Sequence, residues 1–355
     1  MHPYRNAPSR SFWTRAVASD YDASAVRDHT APLVGVDDRV ASAGSCFAAN
    51  MIPVLQGAGI HYLRTEAMPK ALGDIPAENL GYPNFSAAYG NLYTARQLLQ
   101  LLQRCLGQFK PVEDRWPTAT GVVDPFRPGL RYHARSEREF DLLTAAHLRA
   151  VRAVFEQATV FIFTLGLTEA WCSTADGAVY PACPGTVAGE FDPQRHRLIN
   201  FRVDEVIADL GAVIELARTI NPTLRWVLTV SPVPLVATAT GRHVLTASTY
   251  SKAVLRVAAD DIVQRYEAVE YFPALEIITG PQAPADYFQP DRRNVSPIGV
   301  AAVMDAFLAA CDGSRRRADR GSVAPPASSA ESRLSRWIAD VECEEAAVDP
   351  GKSAG

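Results

Sequence analysis

A hydroxyl and a thiol stand side by side in the motif Gly44-Ser45-Cys46, within the stretch ASAGSCFAANMIPVLQGAG. The residues before the motif form a short apolar run typical of a buried strand, and those after it have helical spacing. A thiol at a helix N-terminus is a good nucleophile, because nearby backbone N–H groups lower its ordinary pKa of ~8.5. The motif therefore predicts Cys46 as a nucleophile, with Ser45 shaping the turn or acting as a second candidate.

Two further predicted strands end in small or polar residues. The first is followed by Gly166, Thr168 and Glu169, and the second is followed by Ser231. The carboxyl ends of parallel strands meet at one edge of a sheet, so we expect these residues and Cys46 to converge on one site. A glycine directly after a strand lets backbone N–H groups point into the crevice, where they can bind an oxyanion.

The elements that must position these residues alternate between strands and helices. Apolar, β-branched runs such as TVFIFTLG and LRWVLTVSPV predict buried strands, and TARQLLQLLQRCLG predicts an amphipathic helix capped by Thr94. Pro53 is expected to shorten or kink the helix after Cys46. Such alternation predicts an α/β protein with three layers, α/β/α, in which helices cover a central, mostly parallel, flavodoxin-like sheet on both faces.

Composition divides the 355 residues into three parts. Residues 1–34 form an N-terminal extension, residues 35–311 the α/β domain, and residues 312–355 a tail that is predicted to be disordered. Long insertions near 108–135 and 172–201 are rich in Pro and Gly, but their aromatic residues favour ordered structure. The second insertion closely follows a strand end and is expected to help wall a pocket.

Charge and composition exclude several classes of function. The net charge is -4 and charged residues of both signs are interspersed, so we expect no basic face for nucleic acid. The apolar run ATVFIFTLGL is too short to span a bilayer, and no stretch near the start resembles a signal peptide. A cytoplasmic protein without a membrane span is therefore predicted. The cysteines lack the spacing of a zinc site, and no metal or organic cofactor is implied.

Five motifs together resemble the GSCFA family, which is related to the SGNH (GDSL-like) hydrolases. They are AGSCFAANMIPVLQGAG, YGNLYTARQLLQL, FTLGLTEAW, SPVPLVAT and YSKAVLR, and they extend over most of residues 35–310. In SGNH enzymes a Gly-Asp-Ser turn carries the nucleophilic serine, and Cys46 takes the place of that serine. The resemblance also implies that Gly90, beside Asn91, donates an oxyanion N–H. The third block, Gly-x-Asn, is similar to Gly166-Leu167-Thr168, with threonine in place of asparagine.

The fourth block departs from the family pattern. SGNH enzymes have Asp-x-x-His before the last helix, with the histidine as base, whereas this chain has Asp291 and then Asn294 in the position of the histidine. A thiol tolerates this loss better than a serine, because a thiol is already partly ionised near neutrality. His243 is the favoured replacement base, since it lies in the loop after Ser231. Asp291 and Glu169 are candidates for orienting a base or contacting substrate, or else each is a cap or half of an ion pair.

The resemblance implies acyl transfer, either hydrolysis of an ester or transfer of an acyl group to an acceptor. Because SGNH relatives commonly act on acylated sugars and lipids, the expected substrate is a carbohydrate ester or a related small-molecule ester. Two alternatives stay open: a non-catalytic SGNH-like protein that binds a glycan or an acyl chain, and a thiol enzyme in a thioester-linked biosynthetic step. The catalytic interpretation places the Cys46 thiol within ~5 Å of the backbone at Gly90 and at 166–168, facing a cleft.

Overall fold

The computed structural model describes residues 2–28, 31–73 and 75–312. For Cys46 and Ala71 the description covers the backbone. The tail that the sequence predicts to be disordered, 312–355, lies outside the described residues except for Asp312.

The described chain contains one parallel sheet and two antiparallel sheets. Its strands are β1 Arg39–Gly44, β2 His61–Tyr62, β3 Trp116–Thr118, β4 Gly121–Val123, β5 Val160–Leu165, β6 Glu169–Ser173, β7 Val179–Tyr180, β8 His196–Asn200, β9 Arg225–Val230 and β10 Val269–Tyr271. The central sheet has the order β10-β9-β5-β1-β2, and every neighbouring pair in it is parallel. A hairpin, β3-β4, and a three-stranded sheet, β7-β6-β8, are antiparallel.

Helices connect the parallel strands, and two helices follow the last strand. They are α1 Cys46–Ala49, α2 Met51–Gly57, α3 Ala77–Leu80, α4 Ala95–Cys105, α5 Glu137–Gln157, α6 Val203–Arg218, α7 Val244–Arg265, α8 Ala274–Thr279 and α9 Pro297–Ala309. As predicted, Thr94 caps α4 by accepting a hydrogen bond from the Gln97 N–H. Ser136 caps α5 in the same way, by accepting from the Glu139 N–H. Within the described ranges, no helix combines the length and the hydrophobicity needed to cross a bilayer.

Side chains of β5 show that helices cover both faces of the central sheet. Phe161 stacks on Phe155 of α5, with ring centroids 5.0 Å apart. Thr164 lies three residues further along the strand, so it points to the opposite face, where Ala48 of α1 lies beside it. The predicted three-layer α/β/α fold is therefore confirmed.

The predicted helix after Cys46 is interrupted near its start. The first segment, α1, ends at Ala49, and α2 begins at Met51 after a turn at Asn50. Pro53 lies in the first turn of α2, where its missing N–H costs no helical hydrogen bond. The helix that carries Cys46 is consequently a single turn.

Both long insertions contain regular structure and pack against each other. The hairpin β3-β4 belongs to the first insertion, while β7 and β8 of the second insertion pair with β6. Trp116 packs on Tyr180 with ring centroids 5.4 Å apart. Glu113 accepts a hydrogen bond from Trp116 Nε1 at 2.8 Å and lies 3.0 Å from His196 Nε2. Aromatic residues thus give the two insertions a shared small core.

The N-terminal extension is anchored to the domain near the end of its described part. Leu33 is fully buried, and its N–H donates to the Ala310 carbonyl at 2.9 Å. Arg27 forms an ion pair with Glu270 of β10 at 2.5 Å. These contacts hold the extension against the last helix and the edge strand of the central sheet.

Gly44 is a position where the fold depends on the absence of a side chain. Its φ is +152°, and an added Cβ would lie 2.7 Å from Thr164 Cβ and 2.8 Å from the Thr164 carbonyl oxygen. We predict that Gly44→Ala lowers the free energy of unfolding by about 2–4 kcal/mol, because it adds both backbone strain and steric overlap. Urea denaturation measures this change.

Gly57→Ala is the control for this substitution. Nothing lies within 4 Å of a Cβ built on Gly57, which ends α2. Alanine there should leave stability unchanged or raise it by up to ~1 kcal/mol, because alanine has the higher helix propensity. Equal losses of stability in the two variants would show that the contact with Thr164 is not the cause.

Candidate active site

The candidate nucleophile lies at the carboxyl edge of the central sheet, where β1 turns into α1. Cys46 is the first residue of α1, and Ser45 is its N-cap residue. The Gly44 carbonyl accepts a hydrogen bond from the Leu92 N–H at 2.8 Å, which holds the turn against the segment before α4. Strand, turn and helix follow one another here as the sequence predicts.

Ser45 is buried, but its hydroxyl does not cap α1. The residue is 5% exposed, and its Oγ has no hydrogen-bond partner among the described residues. The first-turn N–H groups of α1 are therefore left uncapped by this side chain. Because α1 is a single turn, these N–H groups, and not the dipole of a long helix, would stabilise a thiolate at Cys46.

The backbone after β5 is tied to two neighbouring segments. The N–H groups of Gly166 and Leu167 both donate to the Tyr93 carbonyl, at 2.9 and 3.0 Å. The Thr168 N–H donates to Ser251 Oγ at 3.0 Å. These groups fix the segment before α4 and helix α7, and they do not point into a crevice as expected for oxyanion donors. The Thr168 hydroxyl is fully buried and has no partner among the described residues.

The segment that carries Gly90 and Asn91 is tied to β1. The Ser42 N–H donates to Ser86 Oγ at 3.1 Å, and the Tyr89 hydroxyl donates to the Ser42 carbonyl. Gly90 has a φ of +67°, and Asn91 is buried. Two anchors on β1 thus hold the predicted oxyanion glycine near the strand that leads to Cys46.

A buried charged cluster clamps the backbone of the same segment at Ala88. Glu66 accepts a hydrogen bond from the Ala88 N–H at 2.7 Å, and Arg127 lies 3.4 Å from the Ala88 carbonyl oxygen. His147 Nδ1 lies 2.7 Å from Glu66, and Arg127 pairs with Asp124 at 2.9 Å. We call Glu66, Asp124, Arg127 and His147 the buried charged cluster.

Within the buried charged cluster, the surroundings favour the ionised form of Glu66 and the neutral form of His147. Burial by itself raises the pKa of Glu66, but His147, Arg127 and the Ala88 N–H outweigh it and lower that pKa to about 2. Burial lowers the pKa of His147, and Arg127 lowers it further, although Glu66 acts in the opposite direction. At neutral pH, His147 is therefore a neutral ring that donates from Nδ1 to an ionised Glu66.

Ser231 and Glu169 stabilise the backbone around the loop between β9 and α7. The Ser231 N–H donates to the Leu165 carbonyl at 2.8 Å, and its Oγ lies 3.3 Å from the Val233 N–H. The Glu169 carboxylate accepts a hydrogen bond from the Thr238 hydroxyl at 2.8 Å. Both side chains therefore have local structural partners at the carboxyl edge.

His243 has a capping role that competes with its predicted role as base. It is the exposed N-cap residue of α7, and its Nδ1 accepts a hydrogen bond from the Leu245 N–H at 3.2 Å. A neutral ring in this arrangement keeps its proton on Nε2. Accepting a further proton at Nδ1 would break the cap.

Asp291 and Asn294 form a turn that is closed on itself. The Asp291 carboxylate accepts hydrogen bonds from the N–H groups of Arg293 and Asn294, at 2.9 and 3.0 Å, and from Asn294 Nδ2 at 2.6 Å. Burial raises the pKa of Asp291, but these three hydrogen bonds outweigh it and lower the pKa below its ordinary value. The carboxylate thus stabilises the turn before α9.

The GSCFA family model matches residues 39–307, from the first strand of the central sheet to the last helix. This chain belongs to the GSCFA family. No curated protein matches the sequence. Among solved structures, the chain is similar to a protein from Streptococcus pneumonia provisionally assigned as a platelet activating factor, with 14% identity and a TM-score of 0.27. The match covers 44% of this chain and 65% of that one, so the chain spans just under two thirds of that protein's length.

Two features of this GSCFA domain leave no clear signal in the sequence. The buried charged cluster joins Glu66, the first insertion and α5, which are far apart along the chain and share no periodic pattern. Lys252 of α7 donates from Nζ to the Gly166 carbonyl at 2.7 Å, whereas helical lysines are usually exposed. In the described ranges, no group of three or more His, Cys, Asp or Glu side chains is arranged to hold a metal ion.

Glu66→Gln tests how strongly the buried charged cluster supports the domain. The folded pKa of Glu66, about 2, lies below its ordinary value of 4.5. The stability that this group contributes is therefore present above about pH 4.5 and is lost as the pH falls toward 2. We predict that Glu66→Gln lowers the free energy of unfolding by about 2–4 kcal/mol at neutral pH and flattens its dependence on pH below about 5. Urea denaturation as a function of pH measures both effects.

Glu156→Gln provides the matched control. Glu156 forms an exposed ion pair with Arg152 on α5 at 2.7 Å. Exposed pairs of this kind contribute little to stability, so the control should leave the free energy of unfolding nearly unchanged. A similar pH dependence in Glu66→Gln and the unsubstituted protein would contradict the assignment of the low pKa to Glu66.

Proposed function

We propose that this GSCFA protein is an acyl-transfer enzyme, an esterase or an O-acyltransferase, that uses Cys46 as its nucleophile. The observation that carries the proposal is the position of Cys46 as the first helical residue after the inner strand β1. Ligands of parallel α/β proteins bind at this edge of the sheet, so a nucleophile here is placed to meet a substrate.

The proposed reaction has two steps. The thiol first loses its proton to solvent, and the thiolate attacks the carbonyl carbon of the ester. A C–S bond forms, the C–O bond to the leaving group breaks, and the alkoxide takes a proton from water. Water or an acceptor hydroxyl then attacks the thioester carbonyl and loses its proton to solvent. The C–S bond breaks, which releases the acid or the new ester and returns the thiolate. A thiolate that forms in this way needs no histidine base for the first step.

Backbone N–H groups are the proposed stabilisers of the oxyanion. Gly166 and Leu167 already donate to the Tyr93 carbonyl. The proposed donors are therefore the N–H of Cys46, in the first turn of α1, and the N–H of Gly90. The fixed backbone around both groups supports this assignment, because preorganised donors need not reorient as the charge develops.

An acylated carbohydrate or a related ester is the proposed substrate. The strand β6 begins directly after Thr168 and carries Trp171, which packs against Phe191 with ring centroids 5.2 Å apart. Phe191 is 41% exposed, so the second insertion presents an aromatic surface close to the carboxyl edge. Aromatic faces of this kind suit the apolar C–H face of a sugar ring, which supports a carbohydrate substrate.

A second candidate function is non-catalytic binding of a glycan or an acyl chain. The observation that favours it is that His243 caps α7 while Asp291 and Asn294 form a closed turn. Neither position then supplies a base for the second step. Under this alternative Cys46 has no reactivity beyond that of an ordinary thiol.

Substitutions at Cys46 and Ser45 separate these functions. We predict that Cys46→Ala abolishes p-nitrophenol release from p-nitrophenyl acetate, with or without an acceptor sugar. Cys46→Ser should lose most of the activity, because a hydroxyl without a base is hardly ionised. Ser45→Ala should remain active, since the Ser45 hydroxyl makes no hydrogen bond among the described residues. Full activity in Cys46→Ala with none in Ser45→Ala would move the nucleophile to Ser45.

Thiol alkylation gives a test that does not depend on a substrate. Burial raises the pKa of Cys105 to about 11, so this thiol is an internal control that should react slowly. We predict that iodoacetamide modifies Cys46 faster than Cys105 near neutral pH, because first-turn N–H groups favour the Cys46 thiolate. Peptide mass spectrometry as a function of time and pH measures both rates. Equal rates would argue against an activated thiol.

A further inference from the structure

Ala88, two positions before Gly90, is held through both of its backbone groups by buried charged side chains. Its N–H donates to Glu66 Oε2 at 2.7 Å, and its carbonyl oxygen lies 3.4 Å from Nη1 of Arg127. The side chains of Glu66 and Arg127 are 8% and 4% exposed, so both contacts are largely shielded from water. Hydrogen bonds to ionised groups are stronger than those between neutral groups, and burial strengthens them further. We call these two contacts the Ala88 clamp.

A second anchor lies on the other side of Gly90, in the turn that leads to the candidate nucleophile. There the Leu92 N–H donates to the Gly44 carbonyl at 2.8 Å. Gly90, between the two anchors, has a φ of +67°, a left-handed conformation that favours glycine. Among the described residues its N–H donates to no backbone carbonyl, in contrast to the N–H groups of Gly166 and Leu167. The Gly90 N–H is therefore fixed by its neighbours without being occupied by a backbone acceptor.

The side chains around the Ala88 clamp come from distant parts of the chain. Glu66 follows β2, Arg127 follows the hairpin β3-β4 of the first insertion, and His147 lies on α5. Arg127 is itself held by an ion pair with Asp124 at 2.9 Å. His147 Nδ1 lies 2.7 Å from the same Glu66 oxygen that accepts from Ala88. The first insertion thus brings a cation to the carbonyl group of Ala88, close in sequence to the proposed oxyanion donor.

We propose that Glu66 and Arg127 are positioning residues, which hold Gly90 in the conformation from which its N–H donates to the oxyanion. The inference rests on the proposed function and adds to it two side chains that act through the backbone without touching substrate. Removal of the Glu66 carboxylate leaves the Ala88 N–H without its acceptor, so the segment before Gly90 can rotate. A donor that must reorient as the charge develops stabilises the transition state less.

Two reactions of Cys46 separate this positioning role from general support of the fold. Acylation by p-nitrophenyl acetate passes through an oxyanion, whereas alkylation by iodoacetamide displaces iodide at a saturated carbon and forms none. We predict that Glu66→Ala lowers the rate constant for acylation about 10- to 100-fold and changes that for alkylation of Cys46 less than about twofold. Release of p-nitrophenol, after subtraction of the rate in Cys46→Ala, measures the first reaction, and peptide mass spectrometry measures the second.

Glu66→Gln keeps the test decisive if Glu66→Ala does not fold. The glutamine amide oxygen can still accept from the Ala88 N–H, but this hydrogen bond lacks the charge of the carboxylate. Acylation should therefore be about 3- to 10-fold slower than in the unsubstituted protein, a smaller loss than in Glu66→Ala. Alkylation of Cys46 should again be nearly unchanged.

Asp38→Ala is the matched control, because Asp38 makes a similar clamp at the opposite end of β1. Its carboxylate accepts a hydrogen bond from the Gly35 N–H at 2.6 Å and pairs with Arg225, and its side chain is 14% exposed. Loss of this clamp weakens the fold away from the candidate site. Both rate constants should therefore equal those of the unsubstituted protein at a temperature where the variant is folded.

The outcomes distinguish the positioning role from the proposed chemistry. Equal losses in acylation and alkylation, unchanged acylation in both Glu66 variants, or an equal loss in Asp38→Ala overturn the positioning role and leave the proposed function in place. A protein whose Cys46 is not acylated at all contradicts the proposed function, and amide hydrogen exchange of residues 85–92 then tests the Ala88 clamp. Faster exchange in the Glu66 variants than in Asp38→Ala supports the clamp, and equal exchange overturns it.

Discussion

The close approach of Gly44 to Thr164 is the constraint on which the carboxyl edge of the sheet depends. The two residues are register partners in β1 and β5, and no side chain fits between them. With a Cβ at position 44 the two strand ends would have to separate, and α1 would start in a different direction. The position of Cys46 relative to the sheet therefore depends on the absence of a side chain at Gly44, two residues earlier.

Hydrogen bonds extend this constraint across the site. The Gly44 carbonyl holds Leu92, the Tyr93 carbonyl holds the backbone after β5, and the Gly166 carbonyl holds Lys252 of α7. Four segments far apart in sequence are thus joined through three carbonyl groups at one edge. Because the N–H groups of Gly166 and Leu167 donate to the Tyr93 carbonyl, they make this edge rigid but are not available to bind an oxyanion. Donors for an oxyanion must then come from α1 and from the segment that contains Gly90.

Local sequence patterns predict the elements of this fold better than they predict the partners of its polar groups. The apolar run of β5 and the cap at Thr94 act through neighbouring residues, so both are readable from short stretches. The acceptor for the Gly166 N–H and the partner of Glu66 depend on packing between distant segments. The capping role of His243 is not readable from the sequence either, because a histidine in a loop and a histidine that caps a helix can have the same neighbours in the sequence. The short length of α1 is partly readable, because Pro53 has no N–H to donate to the Ala49 carbonyl, although the residues after Asn50 continue the helical spacing.

Cysteine at position 46 and asparagine at position 294 both depart from the SGNH hydrolases that the sequence resembles, and in the proposed mechanism the two departures are consistent with each other. Asparagine at position 294 donates to Asp291 at 2.6 Å and closes the turn before α9, so the position that the resemblance assigns to a histidine base holds an amide. A serine nucleophile would lose nearly all of its reactivity with that change, because its pKa is far above neutrality. A thiol loses much less, since its ordinary pKa of ~8.5 leaves part of it ionised near neutrality. Cysteine at position 46 is therefore the nucleophile that best tolerates asparagine at position 294. In this mechanism the first step needs no base, whereas the second step does, because water or the acceptor hydroxyl must then be deprotonated.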